Sequence, residues 1–457
     1  MKRELVRQLA AIVGDGQVAT APEELAAYSY DGSVREFPPT AVVFPRDRDQ
    51  IAAILRLASA TGTPVTPRGA GTGMAGGACP VKGGIVLALA GLNKIVEIDR
   101  ANQVVVTQPG VITAELQAEV ARHGLYYPPD PASRAFCTIG GNVACGAGGP
   151  AAVKYGVTRD YVLALEAVLA DGRVIRSGVR TAKGVVGYDL TRLLVGSEGT
   201  LAVISEITLR LIPQPPAKTT FLALCRDMHQ AVTLVNTILG QLTPCTLEYL
   251  DHTALGLVGE RLPADLKKQA RNALLLLELD GDRETVAAQS RRLRALLAGQ
   301  EGVTLREAAD PGETAELWAA RKALSPAAFQ LRPHKISEDV VVPRSRIPDL
   351  VAHTEELSRL HRLPLFTFGH AGDGNIHVNI MLDRDNADEL VQGEAARTSL
   401  YRKVLALGGT LSGEHGVGIS KATAIEAELG RETLQLMREL KRVFDPDNIL
   451  NPGKIFS

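Results

Sequence analysis

Residues 67–77 read Pro67-Arg-Gly-Ala-Gly-Thr-Gly-Met-Ala-Gly-Gly77, and inside them Gly71-Thr-Gly-Met-Ala-Gly76 has the spacing G-x-G-x-x-G of a dinucleotide-binding turn. That turn needs a helix directly after it, so that the helix N-terminus meets the pyrophosphate. Here Cys79-Pro80 and Gly83-Gly84 break any helix, and residues 84–89 have the apolar run of a strand. The stretch is better read as a glycine loop between two strands, residues 63–66 and 84–89, with Arg68 at its mouth. Successive backbone N–H groups in such a loop form an anion nest without a helix.

Two more segments of this kind follow. Thr138-Ile-Gly-Gly-Asn-Val-Ala-Cys-Gly-Ala-Gly148 reads as a second glycine-rich loop, and Lys183-Gly-Val-Val-Gly-Tyr-Asp-Leu leads into Val195-Gly-Ser-Glu-Gly-Thr200. Any one of them is explained by a tight turn, but three in one region exceed what turns require. Glycine supplies 44 of the 457 residues, clustered at 69–84, 140–149, 184–199, 369–374 and 408–418. Such clusters mark backbone at positive φ or backbone that approaches something closely.

Around these loops the chain alternates strands and helices. Strands are expected at 41–44, 94–99, 103–108 and 201–211, with a hairpin over 161–177 turning at Asp171-Gly172. Helices are expected over 1–30, 49–60 and 113–123, the last capped by Thr113. Ile212-Pro-Gln-Pro-Pro-Ala217 reads as an interdomain linker. Beyond it, strands at 221–224, 273–280 and 338–342 alternate with helices near 227–240, 283–299, 312–329 and 345–361, a second α+β unit.

Composition narrows the class. The chain is 45% apolar and 22% charged, ordinary for a folded globular protein, and its length suits two to four domains. A net charge of −1 gives no global basic field for nucleic acid or an anionic membrane. Five cysteines without a C-x-x-C pair argue against an iron–sulfur or cysteine-ligated zinc site and fit a reducing compartment. No signal peptide and no stretch of about 20 apolar residues is seen, so a cytoplasmic protein is expected, peripheral at a membrane only through a partner.

A second constellation lies near the C-terminus. His370 and His377 sit in Phe368-Gly-His-Ala-Gly-Asp-Gly-Asn-Ile-His377, and Glu414-His415 follows some forty residues later. Residues seven apart on a regular strand face opposite ways. Gly369, Gly372 and Gly374 permit a turn that would bring the two imidazoles together, and His377 and Asn379 then share a strand face. Two imidazoles and a carboxylate suit a divalent ion with an open position, the competing reading being a pair of hydrogen-bonded core histidines. Arg321, on the expected helix 312–329, offers a planar grip on a carboxylate or else a solvated charge, and Ser325 shares its face.

Residues 67–73, Asp-Pro-Ala-Ser at 130–133, Ile-Gly-Gly-Asn-Val-Ala at 139–144 and Gly-Tyr-Asp-Leu…Gly-Ser-Glu-Gly-Thr-Leu over 187–201 resemble the FAD-binding domain of the vanillyl-alcohol oxidase superfamily. Within it the chain, from about residue 28 onward, resembles the FAD-linked D-2-hydroxy-acid dehydrogenases. The resemblance implies an α+β fold: an FAD-binding domain of two α+β subdomains at 1–215 (core 37–215), an α+β cap domain with an antiparallel sheet at 216–412, and a segment 413–457 closing on the flavin. It places FAD against Pro67, Arg68, Gly69, Ala70, Gly71, Thr72, Gly73, Pro131, Ser133, Thr138, Gly140, Gly141, Asn142, Ala144, Glu198, Gly199, Ile204 and Asn451. Some members tether FAD to a histidine in the first loop; Thr72 stands there, which implies non-covalent FAD. Cys145-Gly146 and Ala202 depart from the family pattern of Glu-Asn and Gly.

The same resemblance places His370, His377 and Glu414 as ligands of a divalent metal, with zinc the implied ion and manganese and iron left open by the sequence, and His415 as catalytic base. Arg321 would bind the substrate 1-carboxylate with Asn379 and Ser325 in contact, and Lys335 aligns near a lysine for a distal carboxylate. The implied activity is oxidation of a D-2-hydroxy acid, D-lactate or glycolate favoured over D-2-hydroxyglutarate, with hydride passing to the flavin. An external acceptor would then take the electrons: an iron–sulfur subunit, an electron-transferring flavoprotein, a quinone or a cytochrome. A non-catalytic FAD-binding subunit should lack the histidine set, and an unrelated zinc hydrolase would not need three glycine loops.

Overall fold

The computed structural model describes residues 2–33, 35–262 and 273–456. It divides into two compact units, one of Met1–Gly148, Val157–Gln214 and Glu414–Ser457, the other of Gly149–Gly156 and Pro215–Gly413.

Among the described residues the first unit holds two larger sheets and a two-stranded one. Four strands lie in the order Val18–Ala19, Ala41–Val43, Ile85–Ala88, Val65–Arg68, the last three mutually parallel. Parallel neighbours need a crossover, and the helix Arg48–Thr61 supplies it. Asp47 starts it by accepting from the Gln50 amide at 2.8 Å, and Gly62 at φ 61° ends it. Its buried face of Ile51, Ile54, Leu55 and Ala58 packs onto the sheet, each large side chain contributing about 1.5–3 kcal/mol. The second sheet is antiparallel: Ile95–Asp99, Val104–Thr107, Val203–Arg210, Val162–Val168, Val174–Gly178.

Three expectations change here. Residues 139–145 form a short helix rather than a loop, because Thr138 accepts from the Gly141 amide at 3.2 Å and caps it. Gly140 is required there because a Cβ would run into Pro109. The helix Thr113–Arg122 is not capped by Thr113; its hydroxyl donates instead to the Cys137 carbonyl, 3.3 Å away. The stretch 212–217 is also not all linker, since Ile212–Pro213 pairs with Leu125–Tyr126.

The C-terminal segment is stitched into this unit. The Val65 amide donates to Ile449 O and the Asn451 amide to Val65 O, both at 2.8 Å. Lys441, 7% exposed, donates to Thr200 O at 2.7 Å and Leu450 O at 2.9 Å and pairs with buried Asp445. Burial pushes the lysine pKa down. Lys441→Met removes one member of a buried pair and strands the other, so it should cost about 3–5 kcal/mol. Urea denaturation of this variant would show the loss, and a change under 1 kcal/mol would contradict it.

The second unit is built on one seven-stranded antiparallel sheet. Its order is Thr304–Glu307, Ala217–Cys225, Ala273–Gly281, Thr246–Leu250, Leu365–His370, Asn375–Leu382, His334–Val341. Leu274–Leu277 is apolar without alternation because both faces are buried, consistent with a strand near the middle of the sheet. One face is packed by Leu250, Leu274, Leu276, Leu317, Leu324 and Phe366 in a common core. The helix Pro311–Lys322 on that side ends before the expected boundary, and Leu324–Ala327, with Pro326 inside it, forms a separate turn.

Candidate active site

Strand alternation gathers the polar residues of the second unit. Side chains two apart share a face, and registered partners on neighbouring strands share it as well. Glu248 lies opposite His370, Phe368 opposite His377, His377 opposite Asp339 and Asn379 opposite Ser337. One sheet face therefore carries all of them, and Lys335 continues it. The hairpin turns within 371–374, where Gly374 at φ 89° has no room for a Cβ beside the Val342 carbonyl. The turn brings the imidazoles of His370 and His377 to 5.3 Å between centroids at 85°.

Glu248 is the centre of this face and is 0% exposed. Its Oε2 takes Arg321 Nε at 2.8 Å and Nη2 at 2.6 Å, and its Oε1 takes His370 Nδ1. Burial alone would raise the Glu248 pKa, but the charges and hydrogen bonds of His370 and Arg321 outweigh it and bring the group down to about 2. An ionised carboxylate only accepts, so Nδ1 of His370 is the donor in this contact. The Arg321 guanidinium lies 4.4 Å over the Phe368 ring.

Asp339 holds the other end. It is fully buried, accepts from Asn375 Nδ2 at 2.6 Å and from the Gly413 amide at 3.0 Å, and lies 3.9 Å from His377 Nδ1. Asn379 is 1% exposed, and its Nδ2 has no hydrogen-bond partner among the described residues. A buried amide donor without a partner costs about 1–3 kcal/mol, which points to a ligand that accepts there. Lys335 Nζ donates to Ser325 Oγ at 2.7 Å, and burial lowers its pKa. His370, His377, Asn379, Arg321, Ser325 and Lys335 thus share one side of the sheet. Glu248 and Asp339 were not foreseen.

In the first unit the glycine loop 69–73 fits a phosphate-bearing group. No amide from Gly69 to Gly73 has an acceptor among the described residues. Gly69 and Gly71 are packed too tightly for side chains, against Thr138 and Arg68. Pro67 lies against Gly199, which sits at φ 70°. Arg68 does not reach out of the loop mouth: it is buried, donates to Tyr30 O at 2.7 Å and Ala78 O at 3.3 Å, and braces the loop from beneath. Asn142 is likewise turned inward, donating to Thr113 Oγ1 at 2.8 Å. Pro131 and Ser133 form the turn at 131–137, and Ile204 is buried in its strand.

Glu198 and Asn451 tie loops together. Glu198, at φ 52°, accepts from the Val417 amide at 2.7 Å and the Gly418 amide at 2.8 Å. Burial raises its pKa and the two amides oppose the rise. Asn451 Nδ2 donates to Gly77 O at 2.8 Å and Glu198 O at 2.7 Å, and the Glu198 amide donates to Ala144 O at 2.7 Å. The backbone just after Glu414-His415 is therefore clamped to two of the glycine segments. Cys145 Sγ donates to Glu414 O at 3.3 Å, so the departure at 145 touches the same pair.

Residues 39–178 match the family described as FAD binding domain, and residues 214–455 match FAD linked oxidases, C-terminal domain. Glycolate oxidase subunit GlcD of Bacillus subtilis (strain 168) is 41% identical over 457 residues, covering 100% of this chain and 97% of that protein. D-lactate dehydrogenase of Anaerostipes hadrus is 35% identical, covering 95% of this chain and 91% of its own length. D-lactate dehydrogenase of Archaeoglobus fulgidus is 36% identical, covering 94% and 95% respectively. The fold is shared with p-cresol methylhydroxylase with substrate bound, at a TM-score of 0.84 and 18% identity over 99% of this chain and 96% of that one.

Proposed function

Since the chain belongs to the FAD-linked oxidases of vanillyl-alcohol oxidase type, and its relatives point to FAD-linked hydroxy-acid oxidation, we propose that it oxidises a D-2-hydroxy acid, D-lactate or glycolate in preference, to the 2-oxo acid. The observation that carries the substrate class is the pair held by Glu248, a guanidinium for a carboxylate next to an imidazole for a metal. FAD, bound non-covalently, supplies the two-electron acceptor, and a divalent ion, zinc by preference, supplies Lewis-acid polarisation of the hydroxyl. His370, His377 and Glu414 are the proposed ligands of that ion.

The protein's own residues then have separable tasks. Arg321 binds the carboxylate through the guanidinium edge that Glu248 leaves over. Asn379 Nδ2 donates to a substrate oxygen. An imidazole nitrogen of His415 takes the proton of the α-hydroxyl as general base. Residues 67–73, 138–144, Glu198 and Gly199 are the proposed seat of FAD.

Arg321→Lys tests the carboxylate grip. Lysine cannot hold Glu248 and a carboxylate with one planar fork, so kcat/KM should fall by about 10–100-fold with FAD content unchanged. Steady-state kinetics with an artificial acceptor would measure it. Lys335 favours D-2-hydroxyglutarate as a second reading, since its ammonium reaches Ser325, four residues beyond Arg321. Comparing kcat/KM for the three acids separates the two.

The relative from Bacillus subtilis (strain 168) is described as a subunit. We propose in parallel that this chain delivers its electrons to an external acceptor: an iron–sulfur subunit, an electron-transferring flavoprotein, a quinone or a cytochrome. No helix among the described residues is long and apolar enough to cross a membrane. A cytoplasmic location, with attachment to a membrane only through such a partner, is part of the same proposal.

A further inference from the structure

We infer that Glu248 is a positioning residue that sets the orientation of both the metal ligand His370 and the carboxylate-binding Arg321. The inference rests on the proposed metal and substrate roles of those two residues. The strand Thr246–Leu250 is paired on both sides, with Ala273–Gly281 and Leu365–His370, so the Glu248 backbone has no freedom to adapt. Its side chain is fully buried and both carboxylate oxygens are engaged.

Each engagement selects one arrangement of the partner. A carboxylate behind Nδ1 fixes the His370 tautomer and ring plane, presenting Nε2 as the donor atom for an ion. On the other side Oε2 takes Nε–H of Arg321, and Nη2 lies 2.6 Å from the same oxygen as an ion pair. Of the five guanidinium donors, Nε–H is the one that a hydrogen bond commits to Glu248. The Nη1–Nη2 edge is the one that can still grip a second carboxylate bidentately. Phe368 beneath the guanidinium fixes its plane, at 4.4 Å. One carboxylate thereby sets the relation between the metal ligand and the carboxylate grip, which a substrate with adjacent hydroxyl and carboxylate requires. A merely structural ion pair would not need to share its two oxygens between these particular groups.

The test uses the FAD-loaded enzyme stripped of metal with a chelator. Zinc affinity is measured by competition with a chromophoric chelator for wild type, His370→Ala and Glu248→Gln, with flavin absorbance recorded for each. Glu248→Gln should weaken zinc binding by roughly 10–100-fold, as removal of an outer hydrogen-bond partner does, and raise KM for the hydroxy acid while FAD stays bound. Wild-type zinc affinity in Glu248→Gln, with His370→Ala impaired, would overturn the role of Glu248 and leave the metal assignment standing. Failure of the wild type to bind zinc would overturn the metal assignment itself, and this inference with it. Should Glu248→Gln not fold, Glu248→Asp decides: its shorter arm keeps the charge but cannot span both partners. It should weaken zinc binding too, and unchanged affinity overturns the inference.

Discussion

His415→Asn should slow flavin reduction by about 10²–10⁴-fold, the usual contribution of a positioned general base, while leaving FAD content unchanged. Asparagine keeps the bulk and a hydrogen-bonding group of the imidazole but cannot take a proton at neutral pH. The surrounding backbone does not depend on the imidazole, because Glu198 holds the Val417 and Gly418 amides from the first unit's own loops. A drop in rate would thus report proton transfer rather than collapse of the loop. Anaerobic stopped-flow reduction by D-lactate is the measurement. Reduction at the wild-type rate would place the base elsewhere.

Removal of the proposed metal ion is expected to give the second large effect. His370→Ala should lose at least about 100-fold in zinc affinity, more than loss of an outer-shell partner, and turnover should fall with it. Chelation of the wild type should abolish turnover reversibly, with zinc restoring it. The two experiments differ in what they leave intact. Chelation keeps Glu248, Arg321 and the packing of the hairpin, so a loss on chelation belongs to the ion. His370→Ala also removes the partner of Glu248 Oε1 and leaves a buried carboxylate half-satisfied, so part of its effect is local. Full metal content and full turnover in His370→Ala would refute the ligand assignment.

The parts of this site that were legible in the sequence are those with local punctuation. Glycines flank His370 and His377, and a hairpin follows from them because residues 371–374 must turn tightly. The loop at 67–77 was separable from a Rossmann turn because Cys79-Pro80 and Gly83-Gly84 forbid the helix such a turn needs. Glycine content misled at 139–145, where Thr138 was the available sign of a helix start.

Glu248 lay beyond a local reading. The strand Thr246–Leu250 is five residues long and buried throughout, and its acidic residue is satisfied by groups 73 and 122 positions away. Asp339 was hidden for a related reason. Glu338-Asp339 looks like a solvated pair, yet strand geometry sends the two to opposite faces: Glu338 accepts from Tyr401 OH at 2.7 Å, and Asp339 from Asn375 at 2.6 Å. Arg68 was read from the sequence only as standing at a loop mouth, among the residues expected against FAD. Only its partners, the Tyr30 and Ala78 carbonyls, show that it faces inward.

The central claim is that this flavoprotein oxidises a D-2-hydroxy acid. It is tested most directly by anaerobic titration of the purified, FAD-loaded and zinc-loaded protein with D-lactate and with glycolate, following the oxidised-flavin absorbance band. The account predicts that the band bleaches with at least one of them. A flavin that stays oxidised with both, and with D-2-hydroxyglutarate, would contradict it.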